Sequence, residues 1–221
     1  MRANFRRGLA RRQAAAARLG MYFVPTLDSG VREATRLVPG ANIPPGQRGP
    51  WHVDRRWVRS ARIVRLANPP LRKLLIGPCW LTRLMRYNAA GEPQHWMTDS
   101  VDEKIGLLPL VREARGDVLI HGLGLGLAVR AVLRLPDVMR VTVVELSPEV
   151  VQLVAPHACA DPRVKVVLGD AHTWTPPPSY LPDVVWHDIW PTREDAITGA
   201  ARLLERWRGR CGWQGFWADS G

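Results

Sequence analysis

Three glycines alternate between an apolar run and a helix-forming segment: Gly122, Gly124 and Gly126. Glycine permits a tight turn and lets a ligand approach the backbone, and the N-terminus of the following helix attracts negative charge. Between a strand and a helix, this G-x-G-x-G motif predicts a cofactor site, and a glycine-rich turn that binds nothing is the alternative.

Acidic residues end the next two apolar runs along the chain. Glu145 follows Gly122 by 23 residues, and a carboxylate at this place can accept both hydroxyl protons of a ribose. The alternative interpretation of Glu145 is an exposed acidic residue at a strand end. Asp170, followed by Ala171, can accept a hydrogen bond from an adenine amino group or cap a helix. Together with the glycines, these residues predict an adenosine ligand.

Asp188 ends a further run, where it would face the reacting centre beside the glycine loop. Asp188 or His187 can serve as a general base, which contributes about 10²–10⁴-fold to a rate. Trp190 is a candidate wall of an acceptor pocket, with ordinary packing as its alternative. His121, His187 and Asp188 could also form a two-His-one-carboxylate metal set. Such histidines are more often satisfied by backbone carbonyls, and we predict no metal.

Five apolar runs alternate with helical segments in the second half of the chain. Runs that are apolar at consecutive positions are typical of strands buried on both faces. Alternating strands and helices form a parallel sheet, whose ligands bind outside the carboxyl ends of the strands. The sequence therefore predicts an α/β fold, a Rossmann-like doubly wound, mostly parallel sheet that is shortened at its C-terminal end. The predicted strands cover 117–121, 140–146, 164–170, 183–188 and 211–218, and the helices begin at Leu127, Pro148 and Arg193.

The first half is organised differently. Residues 1–20 predict a basic helix, and the proline- and glycine-rich residues 39–50 predict a linker or extended loop without packing. A hairpin is expected over 80–98, and one helix over 101–114 with Asp102 and Glu103 in its first turn. The domain boundaries that follow are 1–50 for the arm and linker, 51–116 for a small β element with its lead-in helix, and 117–221 for the Rossmann-like domain.

The net charge of +11 lies entirely in the first half of the chain. Residues 1–60 contain 12 Arg and 3 acidic residues, whereas residues 117–221 contain 10 basic and 12 acidic ones. Such an arm can bind nucleic acid, an acidic partner or anionic lipid. The bias of 28 Arg to 3 Lys also fits a GC-rich genome alone. Nucleic acid or an acidic protein is thus a candidate partner of the arm, and a homo-oligomer is a further candidate assembly.

Composition excludes several classes of protein. With 221 residues, 46% of them hydrophobic, the chain can form a core and is not a disordered polymer. No apolar stretch approaches the length of a membrane span. Three distant cysteines argue against a disulfide framework and indicate a reducing compartment, so we expect a cytoplasmic protein.

In their order and spacing, four motifs resemble those of the class I S-adenosylmethionine-dependent methyltransferases, and within them the spermidine synthase (aminopropyltransferase) branch. The motifs lie within 117–188 and read DVLIHGLGLG, VTVVELSPEVV, DPRVKVVLGDA and PDVVWHD. The resemblance implies an S-adenosylmethionine-binding domain over 117–221. It assigns the three glycines to the methionine moiety, Glu145 to the ribose, Asp170 and Ala171 to the adenine, and Asp188 to deprotonation of an attacking amine.

The chain departs from that branch at two acidic positions. The glycine loop has Leu123 and Leu125 where an aspartate usually binds the ligand's amino group, and Ile-Trp-Pro-Thr follows Asp188 where a second aspartate holds the polyamine. Without these acids, burial of a polyamine's charge would be costly. We therefore expect methyl transfer from S-adenosylmethionine to an unknown acceptor. The alternatives are aminopropyl transfer from decarboxylated S-adenosylmethionine and a non-catalytic scaffold that retains the fold. A nicotinamide dehydrogenase is disfavoured because the dinucleotide-binding motif G-x-G-x-x-G would have its last glycine at the position of Leu127.

Overall fold

The computed structural model describes residues 29–58, 62–65, 73–76 and 79–217. The predicted basic helix over 1–20 lies outside these residues. No helix in the described part of the chain is long and apolar enough to cross a membrane.

The first half forms a small antiparallel sheet. Its strand order is β1-β2-β5-β6, and β3 pairs with β4 in a separate ribbon. A five-residue turn from Asn88 to Glu92 joins β5 to β6, and Asn88 Oδ1 accepts the N–H groups of Ala90 and Glu92, both at 2.9 Å. The predicted hairpin is therefore confirmed. The elements are α1 (Ser29–Leu37), β1 (Gly46–Arg48), β2 (Trp51–Val58), β3 (Arg62–Arg65), β4 (Lys73–Ile76), β5 (Cys79–Tyr87) and β6 (Pro93–Thr98).

Two predictions for this half are wrong. Residues 39–50 pack instead of forming a free linker, because Ala41 and Ile43 are buried and β1 pairs with β2. The single helix expected over 101–114 is two helices, α2 (Val101–Gly106) and α3 (Leu108–Glu113). Pro109 lies in the first turn of α3; it has no N–H, and its ring would clash with a carbonyl of the preceding turn if one helix continued.

The second half forms the predicted Rossmann-like sheet, which confirms the fold class. Within the described residues this sheet has five parallel strands in the order β11-β10-β7-β8-β9. The order reverses between β7 and β10, the place where such sheets bind ligands. The elements are β7 (Gly116–His121), α4 (Leu127–Val132), β8 (Val138–Glu145), α5 (Pro148–Ala158), β9 (Val164–Leu168), β10 (Val184–His187), α6 (Arg193–Trp207) and β11 (Trp213–Phe216).

Both sheets share one buried core. Trp51, Val53 and Leu84 of the antiparallel sheet belong to the same apolar cluster as Ile120 and Val143 of the parallel sheet. Since burial of each large apolar side chain contributes about 1.5–3 kcal/mol, this cluster fixes the antiparallel sheet beside the carboxyl ends of the parallel strands.

Candidate functional site

A cavity of about 500 Å³ lies at the carboxyl ends of the parallel strands. The floor is formed by residues that directly follow β7, β8, β9 and β10. One wall comes from the antiparallel sheet and comprises Trp51, Leu84, Arg86, Trp96 and Met97. A largely apolar cavity with a few converging polar groups is the usual form of a small-molecule site.

Two of the three glycines line this cavity. Gly122 and Gly124 have φ values of 92° and 49°, which residues with a side chain adopt only at a cost. A Cβ at Gly122 would collide with the Asp188 carbonyl oxygen, and one at Gly124 with Met97 Sδ. Gly126 does not line the cavity; a Cβ there would collide with Ala158, so this glycine lets α4 pack closely on α5.

The Glu145 carboxylate is held in a fixed orientation. Its Oε2 accepts the Leu123 N–H at 2.7 Å, and its Oε1 accepts the Ser147 N–H at 2.8 Å. Because a carboxylate oxygen has two lone pairs, each oxygen can still accept one hydroxyl proton. The side chain is 9% exposed and lines the cavity, so the arrangement suits two adjacent hydroxyl groups.

The segment after β9 forms another part of the wall through Asp170, Ala171 and His172. Asp170 Oδ1 accepts the His172 N–H at 2.8 Å, so this carboxylate stabilises its own turn. Arg206 of α6 donates to the carbonyl oxygens of His172 and Trp174 and ties the turn to the helix. No local pattern in the sequence indicates this role for Arg206.

Asp188 and Trp190 also line the cavity. Burial, together with the nearby Glu145 carboxylate, raises the pKa of Asp188 to about 7. A carboxyl group with a pKa near neutrality can take up a proton at physiological pH. Trp190 has room because residue 199 is glycine, where a Cβ would lie 2.5 Å from the indole Nε1.

His187 lies away from the cavity, unlike its neighbour Asp188. It is fully buried, its Nδ1 is 2.8 Å from Nδ1 of His121, and its Nε2 is 3.3 Å from Gln214 Oε1. Burial lowers the pKa of His187 to about 4 and that of His121 well below its ordinary value. His121 and His187 therefore form a neutral buried pair, and within the described residues no group of three or more metal-ligating side chains is gathered.

Glu103 is a cavity residue that sequence reasoning missed. It lines the wall from α2, outside the strand ends, and the sequence indicated only a helix that begins with acidic residues. Burial and the neighbouring Asp188 raise the pKa of Glu103 to about 8. The cavity therefore has two carboxyl groups with raised pKa values, from elements distant in sequence.

Comparison with known proteins gives partial matches. No family model matches the chain. A polyamine aminopropyltransferase of Corynebacterium efficiens is 41% identical over 88 residues, which cover 37% of this chain and 16% of that protein. Polyamine aminopropyltransferase 2 of Streptomyces coelicolor is 41% identical over 119 residues, covering 48% of this chain and 21% of that protein. The chain thus matches only a small part of the length of these relatives.

Solved structures overlap with about half of the chain. N-methyltransferase NodS from Bradyrhizobium japonicum, in complex with S-adenosyl-L-homocysteine, is 15% identical with a TM-score of 0.35, covering 48% of this chain and 52% of that one. The CcbJ methyltransferase from Streptomyces caelestis is 20% identical with a TM-score of 0.38, covering 50% and 45%. The sequence relatives confirm that part of this chain resembles the polyamine aminopropyltransferases, the spermidine synthase-like branch that the motifs indicated.

Proposed function

We propose that this chain binds an S-adenosyl sulfonium compound in the cavity and transfers one sulfonium substituent to an acceptor beside Asp188. The observation that carries the proposal is the Glu145 carboxylate, held by Leu123 and Ser147 with one lone pair free on each oxygen. Two adjacent ribose hydroxyls are the donors that this arrangement suits. The neighbouring Asp170 and Ala171 would contact the adenine, and Gly122 and Gly124 the chain attached to sulfur.

The reaction needs positioning more than chemical assistance. A bound sulfonium supplies an electrophilic carbon and leaves as a neutral thioether when the carbon–sulfur bond breaks. The protein has to align the acceptor and exclude water, and Trp96 and Trp190 on the wall suit that role. As the acceptor's lone pair forms the new bond, Asp188 would take up the displaced proton, because its pKa lies at about 7.

Methyl transfer from S-adenosylmethionine is the form we propose first. Arg86 is the one Arg or Lys among the described residues that line the cavity, and a guanidinium is a suitable partner for the methionine carboxylate. The stretch after Asp188, Ile-Trp-Pro-Thr, has no acid to hold a polyamine.

Aminopropyl transfer from the decarboxylated compound is the second candidate, and a specific observation favours it. Two amides of the glycine loop are already engaged, since Leu123 N–H donates to Glu145 and Leu125 N–H to Met97 Sδ at 3.1 Å. They are thus not free to bind a carboxylate. The two sequence relatives described above also carry the name polyamine aminopropyltransferase.

Calorimetric titration tests both candidates. We expect S-adenosylmethionine, S-adenosylhomocysteine and neutral 5′-methylthioadenosine to bind, and Glu145→Gln to weaken all three by about tenfold or more, because hydrogen bonds to a charged group are lost. Glu205→Gln on the exposed face of α6 is the matched control and should leave every Kd unchanged.

The Arg86→Gln variant distinguishes methyl transfer from aminopropyl transfer. If the first form is right, this variant loses affinity for S-adenosylmethionine and retains affinity for the decarboxylated compound. Tighter binding of the decarboxylated compound by the unmodified chain would instead establish the second form. Absence of binding by all of these ligands would overturn the proposal and leave a scaffold that retains the fold.

A further inference from the structure

We propose that Glu103 and Asp188, which line the same cavity, together retain a proton and face the positive charge of the bound sulfonium compound, so that binding of a cation releases a proton. This inference rests on the proposed function and adds to it a linkage between pH and ligand charge. It also assigns Glu103 as a residue that determines specificity for a cationic ligand.

Both carboxyl groups line the same cavity although they are far apart in sequence. Glu103 comes from α2 and Asp188 from the end of β10, and both line the cavity. The packing of the antiparallel sheet and its following helices against the parallel strands brings them together. Neither group forms an ion pair within the described part of the chain.

The position of Glu103 is supported by its surroundings. The Thr98 backbone and the Trp217 side chain are hydrogen-bonding neighbours of its carboxyl group. Trp217 can approach because residue 106 is glycine, where a Cβ would lie 3.0 Å from the indole Nε1. The carboxyl group is therefore held by specific contacts of the last residue of β6 and of the residue after β11.

Two partly buried carboxyl groups are not both ionised without a counter-charge. The pKa of Glu103 is raised to about 8, by burial first and by Asp188 next, and that of Asp188 to about 7 by burial. At neutral pH the two carboxyl groups of the ligand-free protein consequently retain about one proton between them. The other charged or titratable groups that face the pair are Asp102 on α2 and, on the cavity wall, Arg86, Glu145, Glu149, Asp170 and His172.

A bound sulfonium would change this balance. Its positive charge favours the ionised form of both carboxyl groups. The proton that the two groups retained is therefore released to solvent on binding. A neutral thioether with the same adenosine does not have this effect. S-Adenosylmethionine and S-adenosylhomocysteine differ by one methyl group and this single charge, and they form the matched pair for a test.

The experiment is calorimetric titration of both ligands at several pH values, each in two buffers of different ionisation enthalpy. We expect S-adenosylmethionine to release more protons than S-adenosylhomocysteine at pH 7.5. The affinity ratio of the two should increase as pH rises from 6 to 8, by at most about tenfold per pH unit for one linked proton. Glu103→Gln should reduce the difference in proton release and flatten the ratio, with the Kd of S-adenosylhomocysteine unchanged.

Glu205→Gln is the control, because this acid is exposed on α6 and does not line the cavity; it should preserve the difference between the ligands. Equal proton release by the two ligands, or an equal effect of Glu103→Gln on both, would overturn this inference alone. Failure of both ligands and of 5′-methylthioadenosine to bind would overturn the proposed function as well. If Glu103→Gln does not fold, Asp188→Asn takes its place and should likewise reduce the difference in proton release between the two ligands.

Discussion

Identical side chains have different chemistry in this protein because their surroundings differ. Glu145 accepts two backbone N–H groups, which fix the orientation of its carboxylate. Burial and the nearby Asp188 raise the pKa of Glu103 to about 8. One glutamate is therefore suited to accept hydroxyl protons, whereas the other is suited to respond to the charge of a ligand.

The raised carboxyl pKa values predict a pH-dependent stability of the ligand-free protein. Between pH 6.5 and 8.5 the unfolded chain has ionised Glu and Asp side chains, whereas folded Glu103 and Asp188 lose their protons only with pKa values of about 8 and about 7. The folded state then binds more protons, so the free energy of unfolding falls as pH rises, by at most about 1.4 kcal/mol per pH unit for each group.

Urea unfolding across this pH range checks the prediction, and Glu103→Gln should make the decline shallower. The titration of the His121–His187 pair does not interfere in this pH range. These histidines have lowered pKa values, so they reduce stability only as pH falls below about 6.5, where the unfolded chain takes up protons first. A wild-type slope equal to that of Glu103→Gln would contradict the assignment.

Helix α6 positions the turn after β9, which lines the cavity, through one long side chain. Arg206 binds carbonyl groups of the turn after β9, whereas Arg208 beyond the end of the helix is 75% exposed and pairs with Glu205. The two arginines thus allow a direct comparison between a half-buried arginine that holds a turn and an arginine in a surface ion pair.

We predict that Arg206→Ala loosens the turn over 171–175. The free energy of unfolding should fall by about 2 kcal/mol, as expected when hydrogen bonds to a charged group are lost, and the Kd for 5′-methylthioadenosine should rise. Hydrogen exchange of the amides in this turn and calorimetric titration are the measurements. Arg208→Ala should change neither by more than a surface ion pair contributes, about 0–1 kcal/mol. Equal effects of the two variants would argue that Arg206 does not hold the turn.

The molecule as a whole combines a near-neutral second half with a basic first half. Residues 1–60 contain 12 Arg and 3 acidic residues, whereas the cavity wall is mostly apolar with several acids. A polyanion would therefore bind away from the cavity, and we propose that the arm docks the protein on nucleic acid or on an acidic partner that supplies or carries the acceptor.

This proposal predicts salt-dependent binding of a polyanion. The affinity for duplex DNA should fall steeply with rising salt, because phosphate contacts release counterions. Deletion of residues 1–20 should remove most of this dependence and leave the Kd for 5′-methylthioadenosine unchanged. Affinity that is independent of salt would exclude an electrostatic role of the arm.

The sequence predicts the sheet edge at which the cavity lies, because this prediction rests on local patterns. Consecutive apolar runs identify buried parallel strands, and polar residues at their ends meet at one edge of the sheet. Glu145, Asp170 and Asp188 accordingly lie on one cavity. The packing of 39–50 and the break near Pro109 were not foreseen, because burial of Ala41 and Ile43 depends on partners distant in sequence.

The amino-acid pattern alone thus specified the parallel sheet, the glycine loop and the acids at the strand ends. Three-dimensional packing determined which side chains face the cavity. His187 and Asp188 are neighbours in the chain, but successive side chains of extended backbone point in opposite directions, so the histidine joins His121 in the interior while the aspartate lines the cavity. Glu103 reaches the same cavity from α2 because one apolar core holds the two sheets together, and such long-range contacts leave no periodic signal in the sequence.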